Sequence, residues 1–465
     1  MVFSSLVFLF FYFLTVVAVY YGLPRRFRNG WLFLTSVFFY GYGEPVYVIL
    51  FLASILGNYL CGLWLGRSGD NKKRKKQILA LCVAGNLLLL GFFKYTTLVV
   101  DTLQLFPGFA ALPDAKIVLP IGISFYTFQS MSYVIDVYWG NCKTQKNLVV
   151  FGTYVALFPQ LIAGPIVRYV DVEKQLQNRQ ESLGLFNHGV ELFLVGLAKK
   201  VLLANPLGLL WGQLKLTPHM NGVLGSWVGI LAFTLQIYFD FSGYSDMARG
   251  LGNMFGFSFV KNFEYPYLCR SITEFWRRWH ISLSTWFREY VYIPLGGNRK
   301  GKGRQCLNLL IVWGLTGLWH GASWNFLLWG LYFGVLLIVE KFFLLPRLNK
   351  WPKVLPHLYA LFFVVVGWVL FDFSDFGQLR TYLGSLFAFG GSWLGQEAGY
   401  LLRANLVLLI FSVFACLPWG MKLYLRASQT RAGWVLDLAG TVLVLLLCTA
   451  SLVSSTYNPF LYFRF

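Results

Sequence analysis

The sequence predicts an all-α integral membrane protein, polytopic, with about ten to twelve transmembrane or re-entrant helices. Three observations predict it. The 465 residues are 57% hydrophobic and only 12% charged, whereas a soluble domain carries about 25% charged residues to coat its surface. Apolar runs recur along the whole chain. The basic residues gather in the short stretches between those runs.

The runs come in order. Val2 to Tyr21 contains no charge, and about 20 apolar residues span a bilayer as a helix. This run shows no small-residue cleavage site and is too long for a signal core, so it is expected to remain as the first membrane helix. Further runs lie near 31–66, broken at Gly41–Pro45, and near 77–99, 117–139, 148–166, 186–210 and 223–245. The last group lies near 307–319, 324–345, 354–371, 400–420 and 433–453. Several are short or broken. An aromatic content of 19% suits interfacial belts and packed helix contacts. No hydrophilic stretch is long enough to be a soluble domain, so residues 1–465 are expected to form a single membrane domain.

The formal net charge is +20, from 39 Lys and Arg against 19 Asp and Glu. Its distribution argues against nucleic acid. Arg25, Arg26 and Arg28 follow the first run, and Arg67 with Lys72–Lys76 follows the third. Arg299, Lys300, Lys302 and Arg304 form another cluster, and Lys422, Arg426 and Arg431 a last one. Such clusters mark cytoplasmic loops. The loop at Asp372–Asp375 and the stretch around Glu397 are expected outside, as are both termini. The seven cysteines are scattered without a CxxC pair, which points to packed thiols rather than disulfides or zinc.

The block from about 236 to 325 differs from the rest. Gln236, Asp240, Asp246, Arg249, Lys261, Asn262, Glu264, Arg277, Arg278 and His280 crowd there among aromatics. Charges cannot face lipid without a large penalty, so this block is expected to enclose a polar cavity or lie at the interface. Glu274 and Arg278 stand at i and i+4, the spacing of a helix-surface ion pair, and Trp276 and His280 share it. An amphipathic, partly re-entrant helix is expected.

Five histidines are available. His188 and His219 lie near run ends and His357 follows Pro356, positions that suit solvated or structural roles. His320 ends an apolar run between small residues, Gly317, Gly321 and Ala322, which permit close approach of a backbone or a substrate. His280 closes the charged stretch. Each lies 16 residues from the basic loop, His280 before Gly296 and His320 after Arg304. Helical arms of that length reach roughly 24 Å, so the two rings are expected at similar depth. A neutral-pKa imidazole inside a membrane is either a proton handler or a hydrogen-bonded structural group. No GxSxG or HExxH occurs, and Gly296-x4-Gly301-Lys302 has Gly303 where a P-loop needs Ser or Thr. What remains is direct transfer, with histidine drawing a proton from an acceptor hydroxyl.

These stretches resemble the membrane-bound O-acyltransferase family, most strongly its members in alginate O-acetylation. The likeness rests on Leu119–Phe128, Leu161–Pro165, Tyr238–Ala248, Ser271–Trp286, Gly296–Asn298, Leu318–Ala322 and the tail Asn458–Phe465. The resemblance implies helices ringed around a thin polar core with a funnel toward the cytoplasm, in a multi-pass protein of the bacterial cell membrane. It implies His320 as the catalytic histidine and His280 as the second functional one. Asp240, Asp246, Arg277, Arg278 and Asn325 are candidates for the polar, substrate-binding lining. Some members carry a histidine where this chain has Gln160. By the same resemblance acetyl-CoA or another acyl thioester is the donor, with no bound cofactor or metal. An extracytoplasmic acetyltransferase is the expected protein partner, acting on a polysaccharide such as alginate. The alternatives are a flippase or transporter of an acyl or glycan intermediate, and an acyltransferase of the D-alanyl or peptidoglycan type.

Overall fold

The computed structural model describes residues 1–115, 117–348, 350–430, 432–455 and 460–461. Of the tail Asn458–Phe465 only Phe460 and Leu461 are therefore described, and Arg431 of the last basic cluster also lies outside the described residues. Every regular element among the described residues is a helix. The chain is a multi-pass membrane protein. Among the described residues seven helical stretches are long and apolar enough to cross a bilayer: Val48–Arg67, Lys72–Gln104, Leu183–Leu216, Pro218–Met254, Trp324–Leu348, Val354–Asp372 and Gly433–Ser454. Gln396–Ala404 and Leu406–Ala415 form an eighth if their 59° bend is one broken span. The shorter expected runs also appear, as Phe8–Gly22, Ile123–Trp139 and Lys302–His320. The break expected at Gly41–Pro45 falls between Arg25–Gly43 and Val48–Arg67.

Prolines shape these helices in a repeated way. A proline inside a helix lacks a donor, and its ring pushes on the carbonyl four residues earlier. Widening that turn to π geometry relieves both. Pro206 follows the π turn Lys199–Ala204, Pro294 follows Arg288–Tyr292, and Pro346 follows Glu340–Leu344. Two of these wide turns carry charged residues that are completely buried, Lys200 and Glu340.

The chain forms two compact units. The first comprises Met1–Phe193 and Ser245–Val260. Within it, Val48–Arg67 and Lys72–Gln104 are joined by a reciprocal amide pair: Asn86 donates to Asn58 at 2.8 Å and Asn58 to Asn86 at 3.2 Å. Such pairs satisfy polar groups that lipid would leave unbonded. Gln160 is buried in this unit and donates to the Tyr154 carbonyl.

The second unit comprises Leu194–Tyr244 and Lys261–Phe465. Its core is aromatic. Trp276 lies 4.6 Å from Trp313 and 4.9 Å from Phe333 between ring centroids, and Trp279 lies 4.9 Å from Trp368. Only 6% of the apolar stretch of Gly433–Ser454 is buried in the protein, so its remaining surface requires hydrocarbon around it.

Within this unit Lys302–His320 packs tightly on Trp324–Val339. A Cβ on Gly317 would sit 2.2 Å from the Phe326 carbonyl oxygen, and one on Gly330 would sit 2.2 Å from that of Trp313. The small residues around His320 thus admit a neighbouring helix. Gly330→Ala is expected to destabilise the detergent-solubilised protein by about 1–3 kcal/mol through overpacking, read as a lower midpoint in a thermal-shift assay. An unchanged midpoint would show that the helices are not in this contact.

Candidate active site

His320 is the last residue of its helix. The chain leaves that helix through extended Gly321, and the returning helix begins at Trp324. The imidazole, 5% exposed, sits against Trp329 and Phe371, with centroids 5.0 and 5.4 Å away and both contacts edge-on. A helix C-terminus carries partial negative charge, and the imidazole stands at that end.

Asn325 fixes the wall opposite. Its Nδ2 donates at 3.2 Å to the carbonyls of Leu370 and Phe371, in the last turn of Val354–Asp372, where carbonyls have no partner within the helix. One residue on, Asp372 binds the Lys215 ammonium at 2.6 Å and accepts from Trp211 Nε1 at 3.0 Å. Asn325 is thus a support of the cavity wall rather than part of its lining.

His280 occupies a sharp junction. The helix Ile272–Arg278 ends two residues before it and Ile281–Phe287 begins after it, with His280 left-handed at φ 46° and ψ 53°. The expectation that Trp276 and His280 share one helix face is therefore corrected. The strained residue is held in place by Asn262. The Asn262 carbonyl accepts from Ile281 N at 3.0 Å, and its Oδ1 accepts from Ser282 N and Ser282 Oγ at 3.1 and 3.0 Å. Because the Ser282 N–H only donates, the atom facing it must be the amide oxygen. His280 Nδ1, 3.3 Å from the same oxygen, then carries a proton toward it, and Nε2 is the basic nitrogen.

The expected Glu274–Arg278 pair forms at 2.6 Å. Glu340 anchors the start of that helix: its carboxylate accepts from Ile272 N, Thr273 N and Thr273 Oγ1 at 2.6, 2.8 and 2.7 Å.

Asp240 lies on Pro218–Met254, where Gly243 lets the Leu194–Leu216 stretch approach; a Cβ on Gly243 would be 2.7 Å from the Gly196 carbonyl oxygen. Lys200, swung out by the wide turn before Pro206, meets Asp240 at 2.6 Å with both side chains under 5% exposed. The second carboxylate oxygen accepts from the backbone N of Leu461 at 2.8 Å. Phe460 stacks on Tyr244, 4.6 Å between centroids.

These pieces enclose a cavity of about 20 Å³, lined by Ile237, Asp240, Phe241, Trp279, His320, Trp329, Trp368, Phe371, Phe460 and Leu461. A single water needs roughly 10–15 Å³ of such space. His280 stands behind this wall, 4.7 Å from Phe241 and 5.9 Å from Trp319, which in turn lies 5.0 Å from His320. The two imidazoles thus flank one indole.

The structure does not gather all predicted residues here. Asp246 lies in the first unit and pairs with Arg249 at 3.3 Å. Arg277 is exposed. Arg278 lines a separate cleft of about 880 Å³ with Arg270, Glu274, Lys353 and His357. Among the described residues no three His, Cys, Asp or Glu side chains gather as metal ligands. Sequence reasoning missed Lys200, Glu340 and the Trp329–Trp368–Phe371 wall. Charged pairs inside apolar runs, Lys199–Lys200 and Glu340–Lys341, were the available signal for the first two.

The profile of the membrane-bound O-acyltransferase family matches residues 144–374. The probable alginate O-acetylase AlgI of Pseudomonas putida is 39% identical, over the full length of both chains. A peptidoglycan O-acetyltransferase of Helicobacter pylori is 31% identical over 96% of this chain and 93% of its own. A teichoic acid D-alanyltransferase of Bacillus subtilis is 28% identical over 57% of this chain and 71% of its own.

The Lys200–Asp240 pair makes a specific prediction. Lys200→Met alone leaves a buried carboxylate unpaired and should destabilise the protein by about 3–5 kcal/mol. Adding Asp240→Asn should recover much of that loss in a thermal-unfolding double-mutant cycle. Additive losses would show that the two side chains do not face each other.

Proposed function

The chain belongs to the membrane-bound O-acyltransferase family and is an acyltransferase, and from this premise we propose that it moves acetyl groups from a cytoplasmic thioester to an extracytoplasmic polysaccharide. The observation that carries the reading is the placement of His320, at the negative end of its helix and in the wall of a small apolar cavity.

In this reading the His320 imidazole takes the proton of an acceptor hydroxyl as its oxygen attacks the thioester carbonyl carbon. The carbon–sulfur bond then breaks, the acyl–oxygen bond is complete, and the imidazolium returns the proton to the departing thiolate. The cavity is too small for bulk water, which would otherwise hydrolyse the thioester. His280 acts through Phe241 and Trp319 as a positioning residue, its left-handed backbone held by Asn262. The donor is an acetyl thioester of a phosphate-bearing carrier such as coenzyme A. The cleft with Arg270, Arg278, Lys353 and His357 supports that choice, since three cations and an imidazole face a single carboxylate there.

The acceptor follows from what the relatives are named for: the similar proteins are an alginate O-acetylase and a peptidoglycan O-acetyltransferase. The polysaccharide is alginate or a related exopolysaccharide, reached with the help of an extracytoplasmic transferase, and the chain resides in the bacterial cell membrane.

His320→Ala and His320→Gln should each lower glycan O-acetylation by roughly 10²–10⁴-fold, the usual contribution of a positioned general base. The readout is mass spectrometry of cell-surface polysaccharide at matched protein levels. Wild-type acetylation by both variants would discard the role.

A further inference from the structure

The walls of the His320 cavity are of two kinds. Trp329, Trp368 and Phe371 belong to the aromatic core of the second unit and contact one another as well as the cavity. Phe460 and Leu461 come instead from the end of the chain. Their contacts include an amide hook, Leu461 N to Asp240, a ring stack of Phe460 on Tyr244, and the Lys200 ammonium 5.9 Å from the centre of the Phe460 ring. Both are buried, each 6% exposed. The carboxylate that forms the hook is itself fixed by Lys200.

We infer that Phe460 and Leu461 are specificity-determining residues that limit the transferred acyl group to acetyl. The inference rests on the reading of His320 as the transfer site. At about 20 Å³ the cavity takes one small group next to the imidazole, and further methylenes would have to displace the two tail side chains. A hydrophobic pocket typically discriminates by roughly 10–200-fold for each methylene it refuses or admits. Replacing Leu461 by Ala removes an isopropyl group from the wall without disturbing the backbone hook, because the hook uses the amide.

The test uses everted membrane vesicles from cells that make the full chain and its own acceptor. Acetyl-, propionyl- and butyryl-CoA are supplied separately and in competition, and acyl groups on the glycan are counted by mass spectrometry. Wild type should strongly prefer acetyl. Leu461→Ala should raise the butyryl-to-acetyl ratio by at least about tenfold, and Phe460→Ala should move it the same way. Should Leu461→Ala fail to accumulate, Leu461→Val carries the same test with propionyl-CoA. Unchanged ratios in variants that still transfer acetyl overturn the inference, as does a wild type that takes butyryl as readily as acetyl. No His320-dependent incorporation from any of the three thioesters sinks the underlying reading, and the inference with it.

Discussion

Lys200 and Asp240 have to neutralise one another, because neither reaches water inside the packed second unit. A single buried charge is costly there, whereas a close pair with its remaining lone pairs satisfied is tolerated. The need to satisfy the second oxygen of Asp240 recruits the backbone of Leu461. That hook brings Phe460 and Leu461 into the wall beside His320. One electrostatic constraint thus links an early helix, a central helix and the end of the chain at the place where the chemistry is proposed.

Proline placement makes such pairing possible. The π turn before Pro206 carries Lys200, and the π turn before Pro346 carries Glu340. Each wide turn relieves the missing donor of its proline and redirects a charged side chain inward. Glu340 then caps Ile272–Arg278, which leads directly into the strained backbone of His280. Two imidazoles arrive on either side of Trp319 by different routes: one at a helix end, the other at a forced left-handed junction.

Much of this was legible in the sequence. Composition and run length predict the membrane class, since hydrocarbon admits few alternatives to apolar helices. The i, i+4 spacing predicts the Glu274–Arg278 pair, and the isolation of His320 among small residues marks it out. The remainder depended on tertiary contacts. Helical periodicity placed His280 on the same face as Trp276, but Asn262, 18 residues earlier, captures the chain and ends the helix first. Asp246 was a candidate for the same polar lining as Asp240, yet its ion pair is local, with Arg249. Lys200 lay within an apolar run whose hydropathy concealed it, and no spacing rule connects it to a carboxylate 40 residues away. The tail wall is the least legible element, because its contacts with Asp240 and Tyr244 reach back more than 200 residues along the chain.

General-base action by the imidazole at position 320 is the claim at the centre of this account. It is tested most directly by His320→Gly membranes supplied with imidazoles of graded basicity. The account predicts that imidazole restores part of the acyl transfer, and that the restored rate rises with the basicity of equally small imidazoles. Rescue that ignores basicity, or none at all in a folded variant, would contradict it.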